Sequence, residues 1–160
     1  MTHPLTVTLP SDREIAVSRT FAAPRTLVFD CWTHPALVQQ WLSGPPGWSF
    51  VTCIIDLTVG GQYRYVWKDP NGNELGLTGT FVEIVYPERL VSTELFDQDW
   101  TGGAAQVTLA FEEAGGSTTL HQTILYSTTA ARDNASTSGM TQGMEIGFQS
   151  LEAFLETRKA

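Results

Sequence analysis

In the segment "QYRYVWK", Tyr63, Tyr65 and Trp67 fall on one strand face, while Gln62, Arg64 and Lys68 fall on the other. A core built only for packing favours Leu, Ile, Val and Phe, whereas phenol hydroxyls and an indole N–H need partners once buried. An aromatic face with polar tips therefore suits the wall of a pocket for a small apolar or aromatic molecule. A packed core with locally satisfied hydroxyls is the alternative. Phe81 is expected to extend this wall. Gln122 shares a strand face with Leu120, Ile124 and Tyr126 and can aim an amide into the same space, which turns His121 outward. Met140, Met144, Gly147 and Phe148 recur on one helical stripe. Thioethers adapt to irregular surfaces, and Gly143 and Gly147 leave room beside them at about 1 kcal/mol per helical glycine. Close packing of the helix backbone on a sheet is the other reason for such glycines. The loop "SGPPGW" is stiffened by proline and bounded by Trp41 and Trp48, which are expected at the cavity mouth.

Charged residues offer less. Arg19 falls on an apolar strand face, which is costly unless it is paired. Glu83, on the strand face of Gly79 and Phe81, and Glu94 are the candidate partners in a structural ion pair. Recognition of a ligand carboxylate is the competing use of such a guanidinium. Asp56, just before a Gly-Gly turn, reads as a turn acceptor rather than a general base. No His, Asp and nucleophile form a recognisable triad, and there is no G-x-S-x-G elbow, so no catalytic residue is assigned. Cys31 and Cys53 are the two cysteines, with no CxxC and no histidine at ligand spacing, and they read as small buried side chains. His3 and His34 sit in a tail and at a helix cap. No metal and no cofactor is expected.

The elements that must carry these residues follow from changes of period. From Arg13 the alternation of Ile15, Val17 and Phe21 predicts a half-buried strand. "RTLVFDCW", after Pro24, places Leu27, Val28, Cys31 and Trp32 on one helical stripe, and "THPALVQQWL" restarts a second short helix with Pro35 in its first turn. From Trp48 onward, β-branched and aromatic segments predict strands near 49–58, 62–68, 75–85, 90–96, 105–112 and 117–126. Turns at "VGGQ", "DPNGNE", "YPER", "TGGA" and "EAGGST" separate them, with Pro87 in the second position of a type I turn. Links this short favour antiparallel hairpins. A stripe through "SGMTQGMEIGFQSLEAFL" predicts one amphipathic helix from about Ser136 to Thr157, covered by the sheet. The expected fold is α+β: a curved antiparallel sheet of six to seven strands around a long C-terminal helix, with two short helices after the first strand. Residues 1–12 read as a tail, and 13–158 as a single domain.

Composition narrows the function classes. A chain of 160 residues with 42% apolar and 16% charged residues is suited to one globular core. Nine Lys and Arg against seventeen Asp and Glu give a formal charge of −8 without a basic cluster, so no nucleic-acid partner is expected. The sequence has no apolar run of membrane-span length, and "MTHPLTVTLPSDRE" has neither a basic start nor an apolar signal core. No membrane insertion and a cytoplasmic location are the expectations, and a homodimer is left open.

The order of motifs resembles the bacterial homologues of the heat-shock protein 90 ATPase activator, within the START-like (SRPBCC) superfamily that also includes polyketide cyclases and birch-pollen-allergen-like proteins. The resemblance is carried by "RTFAAPRTLVFDCWTHPALVQQWL", "DLTVGGQYRYVW", "GTFVEIVYPERLVSTE", "GGSTTLHQTILY", "ARD" and "SGMTQGMEIGFQSLEAFL". It implies a helix-grip fold enclosing a cavity between the sheet and the terminal helix. Three functional classes follow. The first is a binding protein that holds a small hydrophobic or aromatic ligand. The second is a cyclase, dehydratase or hydrolase-type enzyme using the same cavity through tyrosine or carboxylate acid–base groups. The third and weakest is a chaperone-interacting domain. The eukaryotic activator grips its chaperone with an additional N-terminal domain, and this chain begins its core at about Arg13, so a chaperone is not the expected partner.

Overall fold

Alternation builds the first long strand as expected: β2 (Glu14–Phe21) buries Ile15, Val17, Arg19 and Phe21, and leaves the intervening residues part-exposed. The computed structural model describes residues 5–42, 47–98 and 103–158. Among these residues β2 is one of eight strands, with β1 (Thr6–Thr8), β3 (Ser49–Ile55), β4 (Gln62–Lys68), β5 (Glu74–Val85), β6 (Arg89–Phe96), β7 (Ala105–Ala114) and β8 (Ser117–Leu125). They form one sheet in the order β1-β2-β8-β7-β6-β5-β4-β3, and every described pairing is antiparallel. The sheet thus has eight strands, not six to seven. The extra strand is β1, which lies in the stretch read as a tail. Its three exposed residues gain their order from pairing with Ala16–Ser18 rather than from burial, so no apolar alternation announces it.

Two short helices follow β2. In α1 (Arg25–Thr33), Val28, Phe29 and Cys31 are buried, and in α2 (Pro35–Trp41), Val38 and Trp41. Pro35 is the first residue of α2, where its missing N–H costs nothing. The C-terminal region holds two helices, α3 (Thr129–Thr137) and α4 (Met140–Thr157), where one had been expected from about Ser136. Gly139 separates them: its φ of 87° is left-handed, a conformation that glycine adopts without steric cost, and it ends one helical run before the next begins. Thr128 caps α3 by accepting from the Ala131 N–H at 3.0 Å. In α4, Phe148, Leu151 and Leu155 are buried, and Phe148 meets Phe21 of β2 edge-on at 5.8 Å between centroids. The helix therefore rests on the inner face of the sheet.

Two local features depart from simple reading. The turn between β5 and β6 is closed by the Glu88 N–H donating to the Val85 carbonyl, and the Tyr86–Pro87 peptide is cis. Pro87 consequently occupies the third position of the turn, not the second position of a type I turn. A register shift between Phe81 and Glu83 inserts an extra residue into β5, which reverses the side-chain parity beyond it.

Candidate functional site

The inner face of β4 to β8, with α1, α2 and α4 above it, encloses a cavity of about 430 Å³. All nine residues read from the sequence as cavity residues line it: Tyr63, Tyr65, Trp67, Phe81, Gln122, Met140, Met144, Gly147 and Phe148. The aromatic wall is continuous. Tyr63 lies 5.1 Å from both Tyr65 and Phe81, and Tyr65 lies 5.8 Å from Trp67, between ring centroids. The Trp67 indole N–H donates to the Leu42 carbonyl at 2.8 Å, which ties the wall to the residue that follows α2. Opposite it, the Tyr126 hydroxyl lies 3.3 Å from the Met140 sulfur.

The polar centre of the wall is Glu94. Tyr63, Gly79 and Glu94 are register partners on β4, β5 and β6. A Cβ at Gly79 would overlap the Tyr63 ring, so the missing side chain is what lets that ring lie across β5. The Tyr63 hydroxyl then reaches the Glu94 carboxylate at 2.6 Å and Ser92 Oγ at 3.0 Å. A phenol has one proton. With that proton on Glu94 Oε2, the Ser92 hydroxyl donates to Tyr63 and completes a chain from Ser92 through Tyr63 to Glu94. Burial raises the Glu94 carboxyl above its ordinary range, and the hydrogen bond from Tyr63 opposes this without cancelling it. The Tyr63 and Tyr65 phenols are also raised, first by burial and further by the negative field of Glu94. Tyr126 is pushed up to about 12 for the same reasons.

Two buried polar atoms on this lining have no hydrogen-bond partner among the described residues: the Trp32 indole nitrogen, a donor, and Gln122 Oε1, an acceptor. Ile146 lines the cavity yet is 47% exposed, and Gly143 and Gly147 present no side chain there, which places an opening beside the N-terminal half of α4.

Other assignments are corrected. Trp41 does not stand at the mouth. It is buried, donates to the Cys31 carbonyl at 2.8 Å, and forms part of the inner wall with Trp32 and Phe148, at centroid distances of 4.7 and 6.4 Å. Trp48 packs against the core without lining the cavity, and residues 43–46 of the loop between them lie outside the described residues. Neither Glu83 nor Glu94 pairs with Arg19. The bulge in β5 sends Glu83 outward to Arg89 at 3.0 Å, and Glu94 is engaged by Tyr63. Arg19 instead donates to the Phe148 carbonyl at 3.1 Å and to Glu152 at 3.0 Å, with its guanidinium 5.0 Å from the Phe21 ring centre. Its side chain is 2% exposed, so this pair is a buried tie between β2 and α4.

The remaining candidates are structural. Asp56 accepts from the Thr58 hydroxyl in the turn after β3. His121 is exposed beside Glu112 on the outer face, as its strand parity implies. Burial pushes the Cys31 thiol up to about 11, with the Asp30 charge adding to this, and Cys53 is only half-buried. Among the described residues no three His, Cys, Asp or Glu side chains converge as a metal site, and no helix is long and apolar enough to cross a membrane. Sequence reasoning missed Trp32 and Ser92 as cavity residues and gave Glu94 another role. The alternation Leu90, Ser92, Glu94, Phe96 in "RLVSTELF" carried the signal for an inward carboxylate.

A family model described as activator of Hsp90 ATPase homolog 1-like protein matches residues 22–156. The chain belongs to this family. AHSA1-like proteins are START-like (SRPBCC) domains, which typically bind ligands in a cavity of this kind. Among solved structures, a crystal structure from Rhodobacter sphaeroides is 32% identical, with a TM-score of 0.91 over 96% of this chain and 99% of that one. A solution structure from Staphylococcus epidermidis is 27% identical, with a TM-score of 0.82 over 97% of this chain and 96% of that one. The AHSA1-like protein from Aeromonas hydrophila shares the fold, with a TM-score of 0.71 at 20% identity over 88% of this chain and 92% of that one. No curated protein matches the sequence.

Proposed function

We propose that this AHSA1-like protein is a binding protein that encloses a small hydrophobic or aromatic molecule between its sheet and α4. The observation that carries the reading is the pair of unpartnered buried atoms, Trp32 Nε1 and Gln122 Oε1, on a largely apolar cavity of about 430 Å³. Leaving such groups unsatisfied costs about 1–3 kcal/mol each, which a ligand carrying one acceptor and one donor would recover. The volume suits a molecule of two or three fused rings, within the usual range of small-molecule sites.

The test is titration with the neutral apolar probe N-phenyl-1-naphthylamine, followed by fluorescence, on the parent and on Gly147→Leu. The glycine Cβ position lies 4.0 Å from Trp41, so a leucine begins without a clash and its branch projects toward the cavity. Saturable binding by the parent and its loss in a folded variant support the reading. A parent that binds no probe overturns it.

A second reading is a cyclase or dehydratase-type enzyme, favoured by the Ser92, Tyr63 and Glu94 chain at the cavity wall. Turnover of a bound substrate that is lost in Glu94→Gln would distinguish it from carriage alone.

A further inference from the structure

We propose that the ligand's head group is a protonated amine, seated against Glu94 and the aromatic faces beside it, and that carboxylate ligands are rejected. This rests on the ligand-binding reading above and names the chemistry of that site.

Three observations carry it. First, the described lining contains no Lys, Arg or His, and Glu94 is its one carboxyl group. Arg19, the buried guanidinium that could have received a carboxylate, is not part of the lining and is committed to Phe148 and Glu152. A ligand carboxylate would enter with no countercharge and with Glu94 for a neighbour, whereas an ammonium finds its countercharge in place. Second, the hydrogen-bond chain is directional. The Tyr63 proton is spent on Oε2 of Glu94, and no described group donates to Oε1. In the protonated acid the proton therefore sits on Oε1, the position an ammonium N–H would take. Third, Tyr63, Tyr65 and Trp67 stand in one line on β4, at successive centroid distances of 5.1 and 5.8 Å, and Phe81 flanks Tyr63. Electron-rich rings beside a carboxylate attract an organic cation to their faces through the ring quadrupoles.

The proton balance is explicit. An ammonium entering against the neutral acid displaces the Oε1 proton to solvent and leaves an ammonium–carboxylate pair; no covalent bond changes. The groups that face Glu94 are the phenols of Tyr63 and Tyr65 from β4, the Tyr126 phenol after β8, and Ser92 on its own strand. The residues lining the cavity from α4 carry no charge. Amine affinity should therefore rise with pH through the titration of Glu94, and fall again only when the free amine loses its own proton.

The experiment uses three matched probes, 2-(2-naphthyl)ethylamine, 2-(2-naphthyl)ethanol and 2-naphthylacetic acid, titrated calorimetrically at neutral pH. The expected result is an amine about tenfold tighter than the alcohol and an acid weaker than both. Glu94→Gln should abolish the amine's advantage over the alcohol. If that variant fails to fold, the parent's pH profile decides: amine affinity that falls with acidification while alcohol affinity does not supports the proposal, and parallel profiles overturn it. Equal binding of all three probes, or tightest binding of the acid, overturns the head-group assignment and leaves the cavity reading intact. Binding of none overturns both.

Discussion

The Tyr63 hydroxyl reaches Glu94 across an entire strand, 2.6 Å from a carboxylate two strands away, because Gly79 offers no side chain in between. Gly79→Ala should therefore cost about 1–3 kcal/mol by overpacking against the ring. Combined with Tyr63→Ala, the loss should be less than additive, since the clash goes with the ring. Urea denaturation of the two single variants and the double variant checks both statements.

Glu94 should make stability fall as pH rises. Its folded pKa is raised above the unfolded value, so the folded state holds the proton more tightly; stability is fully present below the unfolded pKa and is lost up to the folded one. Glu94→Gln removes this dependence. The variant should gain on the parent from about the ordinary carboxyl pKa of 4.5 upward, and the gain should level off once Glu94 is ionised in the folded protein. Denaturant midpoints measured from pH 4 to pH 9 would show the divergence, and parallel curves would contradict it.

Removing the Arg19 tie should be the most damaging single polar change. Arg19→Ala strands the Glu152 carboxylate, and breaking a buried pair costs about 3–5 kcal/mol, here toward the lower end because the Glu152 side chain keeps 14% exposure. Arg19→Lys should recover part of this loss, since one ammonium lacks the fork that spans both acceptors. Thermal unfolding of the two variants would rank them.

Gly143→Ala should stabilise the protein by up to about 1 kcal/mol, because a Cβ there meets no heavy atom within 4 Å and alanine is the better helix former. A loss of stability in urea would show that the backbone needs glycine at this position.

Much of the site was legible because alternation survives wherever a strand is regular. Tyr63, Tyr65 and Trp67 point inward along β4, and Gln122 does so along β8, as parity requires. Parity failed at Glu83, where the bulge near Val82 inserts a residue that no local pattern announces. The partner of Arg19 was illegible for a different reason: Glu152 lies 133 residues away on a helix, and only the crossing of α4 over β2 brings the two together. Gly139 falls inside the single helix expected from about Ser136 to Thr157, since left-handed φ cannot be told from ordinary helical φ by residue type alone.

The same Arg19 contact divides α4 into unequal halves. Its grip falls on Phe148 and Glu152, and the helix's buried residues, Phe148, Leu151 and Leu155, lie from there onward. Ahead of that point the helix starts from Gly139 without a side-chain cap and carries Gly143 and Gly147. No residue of those first turns is fully buried and no ion pair of this kind holds them, so they belong to the low end of local opening energies, while the second half is held more firmly. Amide protons at 143–147 should exchange with solvent far faster than those at 151–155, and bound ligand should slow the first group alone. A molecule could then enter by fraying two helical turns, without disturbing a single rung of the sheet.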